Sequence, residues 1–157
     1  MNNQSLLEAC TVRGYQGSGP GGQHRNKTNT GVKLSFAPFN LEIRCCEDRS
    51  AQVNRTLALG RMRLRIAIEI REVPTPVPPI PFPGSAGRVS PENPLFPLFV
   101  ADCLDRIAEA TGDHRPAAKA WGISSSALLR ILFQEKAIIE ATQKIRQQAG
   151  LGPLKAP

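Results

Sequence analysis

The chain has 157 residues, is 41% hydrophobic and carries a formal net charge of +7, with 20 Lys and Arg against 13 Asp and Glu. That length admits one ordinary domain or two small ones with a core of their own. Residues 1–73 hold 11 basic and 6 acidic side chains, a net +5, so the positive excess sits in the first half; a basic domain suits a polyphosphate partner, RNA first.

In chain order, residues 1–4 are polar and read as a frayed end. Residues 6–15 are expected to hold a first strand, with Cys10, Val12 and Tyr15 as its apolar face. A glycine-rich stretch follows, Ser18-Gly19-Pro20-Gly21-Gly22-Gln23-His24-Arg25-Asn26-Lys27-Thr28-Asn29-Thr30. Its first half is a loop: Gly21 and Gly22 accept φ > 0, and Pro20 biases Gly19 away from α. Its second half offers the cations Arg25 and Lys27 and the neutral donors Asn26, Thr28, Asn29 and Thr30, a composition that can follow a phosphate backbone. A helical turn at 26–29 is compatible with it. Gln23 does not titrate. Its amide can orient water or stabilise developing negative charge, but it is no general base.

Val32, Leu34 and Phe36 alternate with Lys33 and Ser35, a half-buried strand. Ala37-Pro38-Phe39-Asn40 is the turn, and Leu41, Ile43 and Cys45 alternate again, completing an antiparallel hairpin. Ser50 is a candidate N-cap, with Glu47 and Asp48 close to a helix start. Residues 51–71 are ambiguous. Arg61 to Ile70 alternates like a strand, whereas Val53, Leu57, Leu64 and Ile68 fit one helix face; Arg55, Arg61, Arg63 and Arg65 would then spread over the polar surface. Residues 73–97 contain nine prolines, a density that no helix or central strand tolerates, and read as an extended linker that reaches on the order of 70 Å.

Residues 98–111 read as a helix with Phe99, Cys103, Ile107 and Ala110 on one face, ended by Gly112. Asp113 is placed to cap the next helix, which has Pro116 in its first turn. Residues 117–131 have a helix-turn-helix-like pattern, with Ala118 between the helices, Gly122 in the turn, Ser124 or Ser125 as cap, and Leu128 and Ile131 inward. Helix is expected to continue to Ala149, with a break near Gln134 and with Leu132, Ile139 and Ile145 buried; Gly150 and Pro153 end the order. The second helix would present Arg130 as its one cation, which argues against DNA reading and leaves contact with RNA or a ribosomal protein, or a purely structural role. The domains expected are therefore 1–73, a linker 74–97, a helical module 98–150 and a tail 151–157.

The four cysteines, Cys10, Cys45, Cys46 and Cys103, form no Cys-x-x-Cys pair, and the histidines are His24 and His114 alone. Zinc spacing is absent; neither metal nor cofactor is expected, and the cysteines read as small buried hydrophobes in a reduced protein. The N-terminus has no hydrophobic signal core, and no run of 18 apolar residues occurs. A cytoplasmic monomer that does not engage membranes is expected.

The stretch at 18–30 resembles the GGQ motif of peptidyl-tRNA-hydrolysing release factors and small ribosome-rescue hydrolases. The tripeptide alone would arise by chance in roughly 3% of chains this long at average glycine usage. The resemblance extends over Ser18 to Lys27, Asn29, the strand from Val32, Arg49-Ser50 and Asn54-Arg55, and covers about residues 7–71. It implies an α+β domain, a small antiparallel sheet packed by a long helix, so that 51–71 is helical. It implies that the protein hydrolyses the ester joining a nascent peptide to tRNA, with the ribosome, its large-subunit rRNA and peptidyl-tRNA as partners. Gly21 and Gly22 would let the backbone approach the tRNA end, and Gln23 would place its N–H and side chain at the oxyanion and the attacking water. His24, Arg25, Asn26, Lys27, Thr28, Arg49 and Arg55 would contact RNA, His24 by holding the loop. Gln23 would be N-methylated by a dedicated glutamine methyltransferase.

Three departures shape the expectation. Ala51 stands where the family often has Gln after the Arg-Ser pair. Only about 17 residues precede Ser18, where stop-codon readers place a codon-recognition domain, and residues 136–157 hold few cations, where small rescue hydrolases carry a basic tail. The expected activity is ribosome-dependent, codon-independent peptidyl-tRNA hydrolysis, in rescue of stalled ribosomes. The competing reading is a non-catalytic RNA- or ribosome-binding protein.

Overall fold

The computed structural model describes residues 3–15 and 30–157. The chain divides into two compact units, Met1–Ile66 and Ala67–Pro157.

The described part of the first unit starts with helix α1 (Asn3–Ala9), followed by strands β1 (Thr11–Tyr15), β2 (Gly31–Phe36) and β3 (Leu41–Cys45) and helix α2 (Ala51–Glu69), whose last residues pass into the second unit. The strands form an antiparallel sheet in the order β1-β2-β3. The strand expected within 6–15 is present, but it starts only at Thr11 and so leaves Cys10 outside it. The first half of that segment is helical, and Leu6 and Cys10 enter the core from it. β1 does not present Val12 and Tyr15 on one face either. Val12 pairs with Leu34 and Tyr15 with Gly31, which places them on opposite faces because side chains alternate along a strand.

The β2–β3 hairpin follows its alternation. Val32, Leu34 and Phe36 are buried, and Asn40 makes the reversal at φ 52° after a 3-10 turn at Ala37–Phe39. Gly31 has a steric reason. A Cβ there would lie 2.1 Å from the Tyr15 carbonyl oxygen and 3.2 Å from the Cys46 Cβ, and neither backbone can retreat without opening the sheet. Gly31→Ala is therefore expected to break the last β1–β2 pairing. Accelerated amide exchange at Gly31 and Val32, with β3 protection retained, is the readout.

α2 is helical through Glu69, against the strand-like alternation of 61–70. The buried side is Asn54, Ala58, Leu59 and Met62, whereas Val53 and Leu57 are 43% and 39% exposed. The spacing 54, 58, 62 is one helix face. Ala58, Leu59 and Met62 pack on Leu6, Val32, Leu34, Phe36 and Cys45, with Ile66 at the margin.

The second unit holds α3 (Phe96–Glu109), α4 (Arg115–Ala120), α5 (Ser125–Leu132) and α6 (Lys136–Gln148). Phe99, Val100, Cys103, Leu104, Ile107, Leu128, Ile131, Leu132 and Ile138 are fully or almost fully buried. Trp121 meets Phe99 edge-on at 4.9 Å between ring centroids, an arrangement favoured by the ring quadrupoles. Gly112 and Gly122 end α3 and α4 at φ 88° and 64°, and Ser124 caps α5 by accepting from the Ala127 N–H. α5 and α6 are separate helices, and Ile138 and Thr142 are the buried positions of α6; Ile139 and Ile145 are only half-buried. The tail after Gly150 is fastened too: Gln143 exchanges two hydrogen bonds with the Leu154 backbone, each 2.9 Å.

The proline-rich stretch forms neither helix nor named strand before Phe96, as its proline density dictates. It is not extended freely, however. The Arg106 guanidinium, paired with buried Asp102 at 2.7 Å, donates to the Thr75 carbonyl at 2.8 Å. Asp105 accepts from the Glu72 N–H and pairs with Arg71 at 2.9 Å. Asn93 donates to the Pro83 carbonyl at 2.7 Å, and Phe82 stacks edge-on against Phe99. Ser85 and Arg88 close a tight turn with Ala86 and Gly87 both at positive φ. The stretch is a strap on the helical unit.

His114 is half-buried, and its Nδ1 has no hydrogen-bond partner among the described residues. Burial holds its pKa below the usual histidine value; Arg146 and Arg115 act the same way, and Asp113 opposes them. The folded state therefore binds this proton less well than the unfolded one, so the stabilisation is complete above the unfolded value and is lost as pH falls through about 6.5. The Tm of the second unit should fall between about pH 7.5 and 5.5, and His114→Gln should flatten that fall.

Among the described residues no helix is long and apolar enough to cross a membrane, and no three His, Cys, Asp or Glu side chains cluster as metal ligands. The four cysteines are free, and Cys10, Cys45 and Cys103 are buried; burial pushes the Cys103 thiol well up, which makes it a poor nucleophile.

Candidate functional site

Gly21, Gly22, Gln23, His24, Arg25, Asn26, Lys27 and Thr28 lie outside the described residues, as does the helical turn expected at 26–29. The described residues show the two ends from which that stretch departs. Tyr15, at the end of β1, is the register partner of Gly31, at the start of β2. The stretch thus leaves and re-enters the sheet at neighbouring positions.

The returning end is tied down by a side chain to which the sequence reading assigned no role. Asn54 is completely buried. Its Nδ2 donates to the Thr30 carbonyl at 2.9 Å and to the Asp48 carbonyl at 2.7 Å. Its Oδ1 accepts from the Asp48 N–H at 2.9 Å and from the Cys45 thiol at 3.6 Å. One amide therefore joins the end of the glycine stretch, the end of β3 and the turn into α2. Only an amide has donors and acceptor together in this geometry. The signal was an Asn on the apolar 54/58/62 face of a helix.

The same turn builds the start of α2. Asp48 Oδ1 accepts from the Ser50 N–H at 2.7 Å, and Ser50 Oγ accepts from the Val53 N–H, so the cap expected at Ser50 is present. Thr30 Oγ1 donates to the Asp48 carbonyl. Arg49 and Arg55 are thus brought next in sequence to two residues that hold Thr30, namely Asp48 and Asn54. Arg49 is exposed and Arg55 half-buried. Arg61 does not stand open with them: it forms a two-pronged pair with Glu47, at 2.5 and 2.9 Å. The hydrogen bonds between them, and after these the opposite charges, favour the ionised form of each, so the Glu47 carboxyl lies below and the Arg61 guanidinium above its ordinary range.

The second unit has an open hollow of about 420 Å³ lined by residues 77–82, Ala120 and Trp121. Its lining has no titratable side chain, so acid–base chemistry has no basis there.

Residues 5–75 match the RF-1 domain. Curated relatives match over shorter stretches, of 52 to 62 residues. Peptide chain release factor 2 of Acidovorax sp. (strain JS42) is 42% identical over 52 residues, 33% of this chain and 14% of that protein. Peptide chain release factor 2 of Burkholderia cenocepacia is 37% identical over 59 residues, 37% of this chain and 16% of that protein. Peptide chain release factor 1 of Salinibacter ruber is 34% identical over 62 residues, 40% of this chain and 17% of that protein. The chain thus spans about a sixth or less of the length of these relatives. No solved structure matches.

Proposed function

We propose, from the match of residues 5–75 to the RF-1 domain of the release-factor-like GGQ family, that this chain hydrolyses the peptidyl-tRNA ester on the ribosome, without reading a codon, in rescue of stalled complexes. The observation that carries the reading is the anchored base of the GGQ stretch. Tyr15–Gly31 pairing and the Asn54 bonds to Thr30 fix both ends of residues 16–30 to a packed sheet, which suits a segment that must place one amide against a reacting carbonyl.

Gly21 and Gly22 let the backbone approach the terminal ribose of the tRNA. Gln23 presents its backbone N–H and side-chain amide to the oxyanion and the attacking water. Such donors, oriented beforehand in a water-poor site, lower the barrier electrostatically. Gln23 transfers no proton, so the proton passes through water and RNA. His24, Arg25, Asn26, Lys27, Thr28, Arg49 and Arg55 hold large-subunit rRNA, and Gln23 is a substrate for N-methylation by a glutamine methyltransferase. Recognition of the stalled complex falls to the helical unit that accompanies the domain, with the α4–α5 pair as its helix-turn-helix-like contact element.

The test is peptide release from purified ribosomes stalled on a truncated mRNA, compared with ribosomes paused at each stop codon and at a sense codon. The reading expects release from the truncated complex that does not depend on the codon. Release only at stop codons would overturn codon independence. Ribosome binding without release from any complex would leave a binding protein.

A further inference from the structure

The sheet has a second face, which the hydrolysis chemistry does not use. Val32, Leu34, Phe36 and Cys45 turn toward α2. The alternate residues therefore turn the other way. The register places Arg13 opposite Lys33, and Lys33 opposite Arg44, so three cations from three strands form one row. Adjacent strands are about 4.8 Å apart, so the row spans about 10 Å. On one side of it lie Thr11, Ser35 and Glu42, and on the other Tyr15 and Gly31.

Three like charges in a row repel one another. Glu42 relieves part of this by pairing with Lys33 at 2.5 Å and with Arg44 at 2.6 Å. Arg13 is exposed and has no ion pair among the described residues. The Arg44 guanidinium also lies over the Tyr15 ring, 5.4 Å from its centroid. Gly31 adds no side chain beside that ring. The face thus combines three cations against one carboxylate, two hydroxyls and an aromatic–guanidinium stack, the combination that holds single-stranded nucleic acid through phosphates and base stacking.

We propose that the sheet face turned away from α2 is a contact surface for an RNA backbone, formed by Arg13, Lys33 and Arg44 with Tyr15 beside them. It is distinct from the contacts assigned to residues 24–28, Arg49 and Arg55, and it stands whether or not the chain hydrolyses an ester.

The test is binding of a fluorescein-labelled, mixed-sequence single-stranded RNA oligonucleotide to the full chain, followed by anisotropy across a salt series. Each phosphate contact on single strands contributes about 0.7 to the salt slope, or about fivefold in affinity at about 0.1 M salt. Arg13→Gln should weaken binding about fivefold and lower the slope by about 0.7. The triple variant Arg13→Gln/Lys33→Gln/Arg44→Gln should weaken it more than tenfold. Glu42→Gln should tighten binding, because it frees Lys33 and Arg44 for phosphate; a merely structural Glu42 would not produce that sign. Unchanged affinity in Arg13→Gln, weaker binding in Glu42→Gln, or equal competition by polyglutamate would each overturn the proposal. Release by the same variants is read separately, so failure of this surface and failure of the hydrolase reading remain distinguishable.

Discussion

Asn54→Ala should destabilise the first unit by about 3 kcal/mol and abolish peptide release, although Asn54 itself touches no substrate. The substitution leaves the Asp48 N–H and the Thr30 and Asp48 carbonyls without the amide that satisfies them. The Asp48 carbonyl keeps the Thr30 hydroxyl as a donor; each part-buried group left unpaired costs about 1–3 kcal/mol, less where water enters. Asn54→Asp should be at least as harmful. It retains an acceptor, removes both Nδ2 donors and sets a carboxylate against two carbonyl oxygens in a buried place. The chain has one Trp and one Tyr, and Trp121 lies in the second unit. The expected signature is therefore a lower midpoint by far-UV circular dichroism with the Trp121 fluorescence transition unmoved. A loss below about 1 kcal/mol would show that the Asn54 bonds do not hold the loop base.

The second large effect is expected in the other unit. Asp102 and Arg106 are only 7% and 8% exposed, and Arg106 also holds the Thr75 carbonyl. Arg106→Met removes the cation and leaves a buried carboxylate unpaired, at a cost of about 3–5 kcal/mol. Here Trp121 fluorescence should report the lowered midpoint. Limited proteolysis should cut residues 74–95 sooner, because the strap loses its hold at Thr75. Replacing both partners, Asp102→Leu with Arg106→Met, should recover most of the stability while the strap stays sensitive. Equal stability of Arg106→Met and wild type would contradict a clamped strap.

How much of this was legible in the sequence depended on whether a residue's partners were local. The β2–β3 hairpin followed from the alternation at 32–36 and 41–45, because each strand pairs with its immediate neighbour in sequence. The Ser50 cap was visible for the same reason. α2 was not settled by periodicity. Arginines at 61, 63 and 65 mimic a strand's alternation, and only the likeness to the GGQ domain pointed to a helix. Its buried face was misjudged, since Val53 and Leu57 look like core whereas Asn54 and Ala58 are the residues that enter it. Asn54 belongs inside only because Thr30, Asp48 and Cys45 come to it from elsewhere in the chain. The prolines likewise told what 73–97 does not form. They did not tell that Arg106, Asp105 and Asn93 fasten it to the helices.

The candidate site divided along the same line. The GGQ tripeptide and its flanks carry the resemblance on which the proposed chemistry rests, and that resemblance lies in one short segment. The residues that hold the segment's ends are scattered over β1, β2, the 47–50 turn and α2, and only the fold brings them together.

The proposed participation of Gln23 in ester hydrolysis is tested by single-turnover peptide release by wild type and Gln23→Ala at matched ribosome occupancy. Gln23→Ala is expected to bind as wild type does and to release peptide about 10²–10³ times more slowly, the usual effect of removing a donor from a developing oxyanion. Release at the wild-type rate by Gln23→Ala would mean that Gln23 takes no part in the hydrolysis.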